Sequence, residues 1–317
     1  MKHSDGNTFS LHQVLMTLSA VAYMPFHSIN MLQDNLNRAP ALEQAFSAIW
    51  WEKNNAAIVF VVKNKVTHEY VVVFRGPVFK PRLSFLLNLY EDLILNRQES
   101  LPSERLGAAK VAAGILESLQ DISNATYSGR TLHQILNNFP MRTKVYVTGH
   151  SLGGSLAAAY AAKAACNNSG ELDIISYTFG APAMGNDSFA NLFDPAKPNS
   201  LFTQVSRCVN ARDIVPYLWN DLKGMMMGNY GNAKCTIDFS LCIECMERLL
   251  IVSKVFYVQP PLQLELKGDI GHGDSFFRDA LFQHQPNTYL SLLGLDPIDN
   301  AEFYRNEHRE FLPTNSL

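Results

Sequence analysis

One short segment carries the residue types and spacing of a nucleophilic site, Gly149-His150-Ser151-Leu152-Gly153. A β-branched run at 144–148 precedes it and predicts a buried strand, and the small-residue run at 155–165 that follows predicts a helix. A Gly-x-Ser-x-Gly between a strand and a helix is the pattern of a nucleophile elbow, a sharp turn that exposes the serine hydroxyl. The alternative is a chance match in a loop. The flanking elements favour the elbow, with Ser151 as the nucleophile.

The same turn predicts where a developing negative charge would be held. Side chains two positions before and after the serine would collide, so Gly149 and Gly153 have none. The N–H of Leu152 then points at the space beside the hydroxyl, where an oxyanion would form. The helix begins at that point, so its dipole favours negative charge there. We therefore expect Leu152 N–H to be an oxyanion donor.

A serine hydroxyl attacks an ester only with a base within hydrogen-bond reach, and the base needs an orienting carboxylate. In folds with a nucleophile elbow these partners follow the serine in the order acid, then histidine. Asp213 follows the β-prone run 202–210, so we predict it as the acid.

Three histidines follow the serine and compete for the role of base. His308 lies in a polar tail, and His272 lies between two glycines. His284 stands beside Pro286, where we expect a helix start to hold the ring. A base needs a fixed imidazole, so the residues favour His284 and leave His272 as the alternative.

The elements that must position these residues alternate between helical and β-prone runs. Such alternation predicts an α/β fold, with a mostly parallel sheet covered by helices on both faces. Two β-prone runs joined by a polar turn, 56–62 and 70–74, predict a hairpin or neighbouring strands. The remaining predicted strands are 174–179 and 202–209, and the predicted helices are 9–23, about 41–49, 103–122 and 131–138.

The segment at about 78–93 is apolar on nearly all sides. One interpretation is a buried helix, and the other is a lid that covers acyl chains until a lipid interface displaces it. The residues alone leave both open. If it is a lid, Phe79, Leu83 and Leu86 would contact the substrate together with His150 beside the nucleophile.

The composition indicates a globular protein and does not favour nucleic acid as a partner. The 317 residues are 47% hydrophobic and 17% charged, with a net charge of −3 and a pI near 6.3, which is typical of a soluble globular protein and gives no support for nucleic acid as a partner. We expect one domain over 1–317, with a loose N-terminus at 1–8 and a peripheral tail at 296–317.

The sequence shows no pattern of a signal peptide, a membrane span or a complete set of zinc ligands. No basic region leads into a clean apolar core, and no apolar stretch has the length of a membrane span, so we expect neither a cleavable signal peptide nor a transmembrane segment. The five cysteines are an odd count, which favours free thiols and a reducing compartment. We therefore expect a cytoplasmic protein, or one exported without a cleavable signal peptide. Only Cys235, Cys242 and Cys245 cluster, too few for a structural zinc, and we expect no metal.

Several motifs together resemble the class 3 lipases, the fungal-lipase-like branch of the α/β hydrolases, over roughly residues 18–293. The resembling motifs are Val-Val-Val-Phe-Arg-Gly at 71–76, Thr-Gly-His-Ser-Leu-Gly-Gly at 148–154, Thr-Phe-Gly-Ala-Pro at 178–182, Val-Asn-Ala-Arg-Asp-Ile-Val-Pro at 209–216 and His-Gln-Pro-Asn-Thr-Tyr-Leu at 284–290. The last two also favour Asp213 and His284 over their rivals. The resemblance implies the α/β-hydrolase fold and a serine carboxylic-ester hydrolase acting on acyl glycerols or related lipid esters through an acyl-serine, without a cofactor.

One position departs from the family's pattern. The family has Thr or Ser directly after Arg-Gly, where it supplies an oxyanion N–H, but here the residue is Pro77, which has no N–H. A shifted loop would let Val78 N–H donate instead, or a side chain or water would substitute. This departure keeps open a catalytically weak or inactive lipid- or partner-binding module on the same fold. Within the enzyme class, phospholipase A1 is the main alternative.

Overall fold

The computed structural model describes residues 9–53, 57–76, 93–168, 171–221, 224, 237–269 and 276–298 of the chain. Its α-helices are α1 Leu11–Val21, α2 Ile29–Arg38, α3 Ala113–Asn124, α4 Leu132–Leu136, α5 Leu152–Asn167, α6 Asp187–Asn191, α7 Ile237–Val252, α8 Phe276–His284 and α9 Pro286–Leu292. Its strands are β1 Phe46–Lys53, β2 Ile58–Asn64, β3 Tyr70–Arg75, β4 Gln98–Ser100, β5 Lys110–Ala112, β6 Thr126–Tyr127, β7 Arg130–Thr131, β8 Thr143–His150, β9 Leu172–Phe179, β10 Val205–Asn210 and β11 Leu264–Leu266.

A central sheet organises the described part of the chain, with seven strands in the order β1-β2-β3-β8-β9-β10-β11. β1, β2 and β3 pair antiparallel at one edge, as the polar turn between β2 and β3 predicts. From β3 through β8, β9 and β10 to β11 every pairing is parallel. The carboxyl ends of these parallel strands therefore meet at one edge of the sheet.

Each face of the sheet carries its own hydrophobic core, because strands buried on both sides must be covered on both sides. Along β3, Val72 and Phe74 point to one face, where α3 and α5 pack. Val71 and Val73 point to the other, which α1 and α2 cover. The predicted mostly parallel sheet with helices on both faces is confirmed.

Helix α1 lies within the helix predicted over 9–23 and begins two residues later, at Leu11. Ser10 caps it, accepting the N–H of Gln13, whose side-chain oxygen accepts the N–H of Ser10 in return. The helix lies against the sheet close to β8, with Ser19 Oγ 3.4 Å from Thr148 Oγ1. Residues near the end of α1 can therefore reach the elbow.

One helix prediction is wrong, and a second is wrong in where the helix begins. Residues 46–53 form β1 instead of a helix over 41–49, because Glu43 and Gln44 take positive φ and turn the chain into an edge strand paired with β2. The helix predicted over 103–122 begins only at Ala113. Before it, Gly107 takes a positive φ, and β5 pairs with β4.

Some predicted features fall outside the described residues. These are residues 1–8, residues 299–317 of the predicted tail, and the candidate lid except for Leu93, which is buried. The start of the tail is fixed, because Ile298 exchanges two hydrogen bonds with the Asn287 side chain. None of the helices that the structure describes combines the length and apolar character needed to cross a membrane.

Candidate active site

Ser151 occupies the sharp turn between β8 and α5. Its φ of 60° and ψ of −138° lie in a region that residues with a Cβ rarely adopt. Two backbone hydrogen bonds hold the turn, from Ser151 N–H to the Phe179 carbonyl at 2.9 Å and from Gly154 N–H to the Ser151 carbonyl at 2.8 Å. This is the strained strand-to-helix geometry of a nucleophile elbow.

The two glycines that flank the turn have no room for a side chain. A Cβ on Gly149 would meet the backbone of Gly153. A Cβ on Gly153 would strike the Phe74 carbonyl oxygen and come within 2.9 Å of Arg75 Cα. The start of α5 therefore packs directly on the ends of β3 and β8, as the spacing of the glycines predicts.

Ser151, His284 and Asp213 form one hydrogen-bonded chain. His284 Nε2 lies 2.8 Å from Ser151 Oγ, and His284 Nδ1 lies 2.7 Å from Asp213 Oδ2. All three side chains are buried, with Asp213 fully inaccessible. The structure thus brings together the three residues that the sequence predicts, with the ring positioned to exchange a proton with the serine through Nε2.

Asp213 is fixed by donors on both of its oxygens. It follows β10, at the carboxyl edge of the sheet, and its Oδ1 accepts the N–H of Val215 at 2.9 Å. Its Oδ2 accepts both His284 and the hydroxyl of Tyr289, the latter at 2.8 Å. Since the carboxylate is buried, these bonds replace the water that would otherwise stabilise its charge.

Tyr289 was not predicted as a site residue, although it stands in one of the resembling motifs. Its hydroxyl donates to Asp213 and accepts the backbone N–H of Asn210 at 3.1 Å. Burial, with the nearby Asp213 carboxylate as the second cause, raises the pKa of Tyr289 well above its ordinary value. The hydroxyl therefore keeps its proton and remains a donor to the carboxylate.

The position of His284 before Pro286 predicted that it lies at the start of a helix. It is instead the last residue of α8. Gln285 is extended, with ψ of 142°, because the residue before a proline is disfavoured in helical geometry. Helix α8 must therefore end at His284, and α9 begins at Pro286. The imidazole is braced as expected, but between two helices.

His150, predicted to contact substrate, is buried behind the imidazole of His284. Its ring centroid lies 4.7 Å from that of His284, and its Nδ1 lies 3.2 Å from the Tyr23 hydroxyl at the end of α1. Burial and the neighbouring His284 lower the pKa of His150 well below its ordinary value, so the ring is neutral at neutral pH. Its contact with substrate stays a prediction.

The predicted oxyanion position is described in part. Leu152 is the first residue of α5, and first-turn N–H groups have no acceptor within their own helix. Gly76 lies against it, since a Cβ on Gly76 would be 2.7 Å from Leu152 Cβ. The chain thus enters the predicted oxyanion loop beside Leu152. Pro77, Val78, Phe79, Leu83, Leu86, His272 and His308 lie outside the described residues.

A mostly parallel sheet whose carboxyl edge carries an elbow serine, a buried aspartate and a later histidine is the architecture of the α/β hydrolases. The solved structure of M37 lipase has this fold, with a TM-score of 0.73 and 21% identity over 95% of this chain and 100% of that one. At this identity the likeness shows the fold alone.

The sequence comparisons point to lipases. Residues 71–222 match the model of the family described as lipase (class 3), which confirms the predicted resemblance. A lipase of Rhizomucor miehei is 34% identical over 149 residues, which are 46% of this chain and 36% of that protein. A chloroplastic phospholipase A(1) of Arabidopsis thaliana is 25% identical over 71% of this chain and 49% of its own length. The chain thus spans half or less of these two relatives.

The Tyr289 hydroxyl supports a testable prediction of stability. In Tyr289→Phe the Asp213 carboxylate loses a donor and the buried Asn210 N–H loses its acceptor, so we expect the free energy of unfolding to fall by about 1–3 kcal/mol. Chemical denaturation measures this change. Tyr127→Phe, in which the lost hydroxyl belongs to a partly exposed ring, is the matched control and should stay within about 0.5 kcal/mol of the unmodified protein. Equal values for the two variants would contradict the assigned role.

Proposed function

We propose that this protein is a serine carboxylic-ester hydrolase that cleaves lipid esters of the acyl-glycerol class through an acyl-serine. The single observation that carries the proposal is the continuous hydrogen-bonded chain from Ser151 through His284 to Asp213. The class 3 lipase match over residues 71–222 supports the lipid-ester substrate class.

In the first half of the proposed reaction Ser151 Oγ attacks the carbonyl carbon of the ester, and His284 Nε2 takes the hydroxyl proton. The carbonyl oxygen becomes an oxyanion, which the N–H of Leu152 stabilises together with the dipole of α5. His284 then gives the proton to the leaving alkoxide as the carbon–oxygen bond breaks. An alcohol departs, and the acyl group stays on Ser151.

In the second half a water molecule attacks the acyl carbon and gives a proton to His284 Nε2. Collapse of the second tetrahedral intermediate breaks the bond to Ser151 Oγ, which regains its proton from His284, and the carboxylic acid leaves. Throughout both halves Asp213 accepts the Nδ1–H of His284, fixes the tautomer and stabilises the imidazolium that forms twice per cycle. Tyr289 and Val215 hold Asp213 in place.

The proposal has a direct test in ester hydrolysis. Ser151→Ala removes the nucleophile, so we expect the hydrolysis of a p-nitrophenyl acyl ester to fall by roughly 10⁴-fold or more. Ser118→Ala is the matched control, because this serine donates only within α3 and should leave the rate unchanged. A Ser151→Ala rate close to that of the unmodified protein would refute the acyl-serine mechanism.

A phospholipase A1 activity is the second candidate, favoured by the relative whose match extends over 71% of this chain. The two candidates differ in the leaving group, because a phospholipid presents a charged headgroup beside the bond that is cleaved. A panel of tri-, di- and monoacylglycerols and phosphatidylcholine, assayed by released fatty acid, separates them. We expect neutral acylglycerols to have the higher kcat/KM, whereas a preference for phosphatidylcholine would establish the second candidate. A protein that hydrolyses none of them would be the lipid- or partner-binding module.

A further inference from the structure

A cavity of about 340 Å³ lies far from the elbow, between α3, α4, α5 and the start of β9. It sits at the amino edge of the sheet, where Leu172 begins β9, whereas Ser151 is at the carboxyl edge. Along α5, Lys163 in its wall is roughly 18 Å from Ser151 at 1.5 Å per residue. The cavity is therefore separate from the site described above, and its volume falls within the ordinary range of small-molecule sites, about 300–1,000 Å³.

The wall of the cavity is divided between apolar and polar side chains. Leu132, Leu136, Phe139, Tyr160 and Ile174 supply the apolar part. The side chains of Leu132, Leu136 and Tyr160 are themselves buried in the adjoining core, so this part of the wall is held rigidly. A rigid apolar wall accommodates an aliphatic chain at low cost in conformational entropy.

Lys163 is the cation of the cavity. Its side chain is half buried, and its ammonium donates to the Ser123 hydroxyl, a neutral partner, at 3.0 Å. Among the described residues no carboxylate forms an ion pair with it; Glu171, which also lines the cavity, is exposed and does not reach it. Burial lowers the pKa of Lys163, so the charged ammonium is less stable here than in water. An anion placed beside it would restore the lost stabilisation.

From this arrangement we propose that the cavity binds an aliphatic carboxylate of short or medium chain length. The carboxylate accepts from Lys163 Nζ, while the Ser123 hydroxyl keeps its bond to the Leu119 carbonyl. The aliphatic chain lies against Leu136, Phe139 and Ile174. A single cation matches a monoanion, whereas a phosphate dianion would leave charge uncompensated beside Glu171. The site uses neither Ser151 nor His284, so it does not depend on the proposed function, although its ligand belongs to the class of product that the proposed reaction releases.

Isothermal titration calorimetry with sodium octanoate tests the proposal, on the full chain carrying Ser151→Ala so that nothing is turned over. We expect saturable binding at one equivalent, and at least about tenfold weaker binding of octan-1-ol, which has the same chain without the charge. Octanol binding as tightly as octanoate, or no saturable octanoate binding, would overturn the proposal.

Variants of the cavity locate the binding. Lys163→Met keeps the apolar stem and removes the charge, and we expect it to weaken octanoate at least tenfold, whereas Lys197→Met, at an exposed lysine, leaves affinity unchanged. Ala164→Phe keeps the charge and fills the cavity, so it should also abolish binding and remains informative if Lys163→Met fails to fold. Octanoate affinity that is unaltered in a folded Lys163→Met or Ala164→Phe protein would assign the ligand elsewhere, such as the active site, and refute this proposal.

Discussion

The arrangement depends on a buried carboxylate, that of Asp213, which three hydrogen bonds hold in place. Asp213 has no exposure to solvent, and its carboxylate is bonded to an imidazole, a phenol and a backbone N–H. Burying a carboxylate without hydrogen-bond donors is costly. The same bonds orient His284 toward Ser151 at a fixed distance. The hydrogen bonds that offset the cost of burying Asp213 therefore also position His284 against Ser151.

Three distant parts of the chain must meet for this network to form, and the parallel sheet brings them together. Ser151 follows β8 and Asp213 follows β10, both at the carboxyl edge, while α8 ends beside them at His284. The elbow itself is strained, and close packing of α5 on β3 and β8 maintains that strain. The site thus forms only when three segments that are distant in sequence meet at the carboxyl edge of the sheet.

Much of this arrangement was predictable because its signals are local. The β-branched run before Ser151, the glycines around it and the small-residue helix after it are all adjacent in sequence, and the Asp213 and His284 motifs have recognisable neighbours. The partners of Tyr289 and Tyr23, which lie 76 and 127 residues away, were not predictable, because a tyrosine, unlike a nucleophilic serine, does not require a particular partner. Local propensity also failed at β1 and β5, where pairing with another strand decided the structure. Pro286 correctly indicated that helical structure braces His284, but the histidine is the last residue of α8 and not the start of α9.

The proposed mechanism requires His284 and Asp213 to make the hydroxyl of Ser151 nucleophilic. The most direct measurement is covalent labelling by a fluorophosphonate, with the modified peptide identified by mass spectrometry. We expect a single adduct on Ser151 in the unmodified protein, and labelling slowed by orders of magnitude in His284→Ala. An unlabelled Ser151, or equal labelling rates with and without the imidazole, would contradict it.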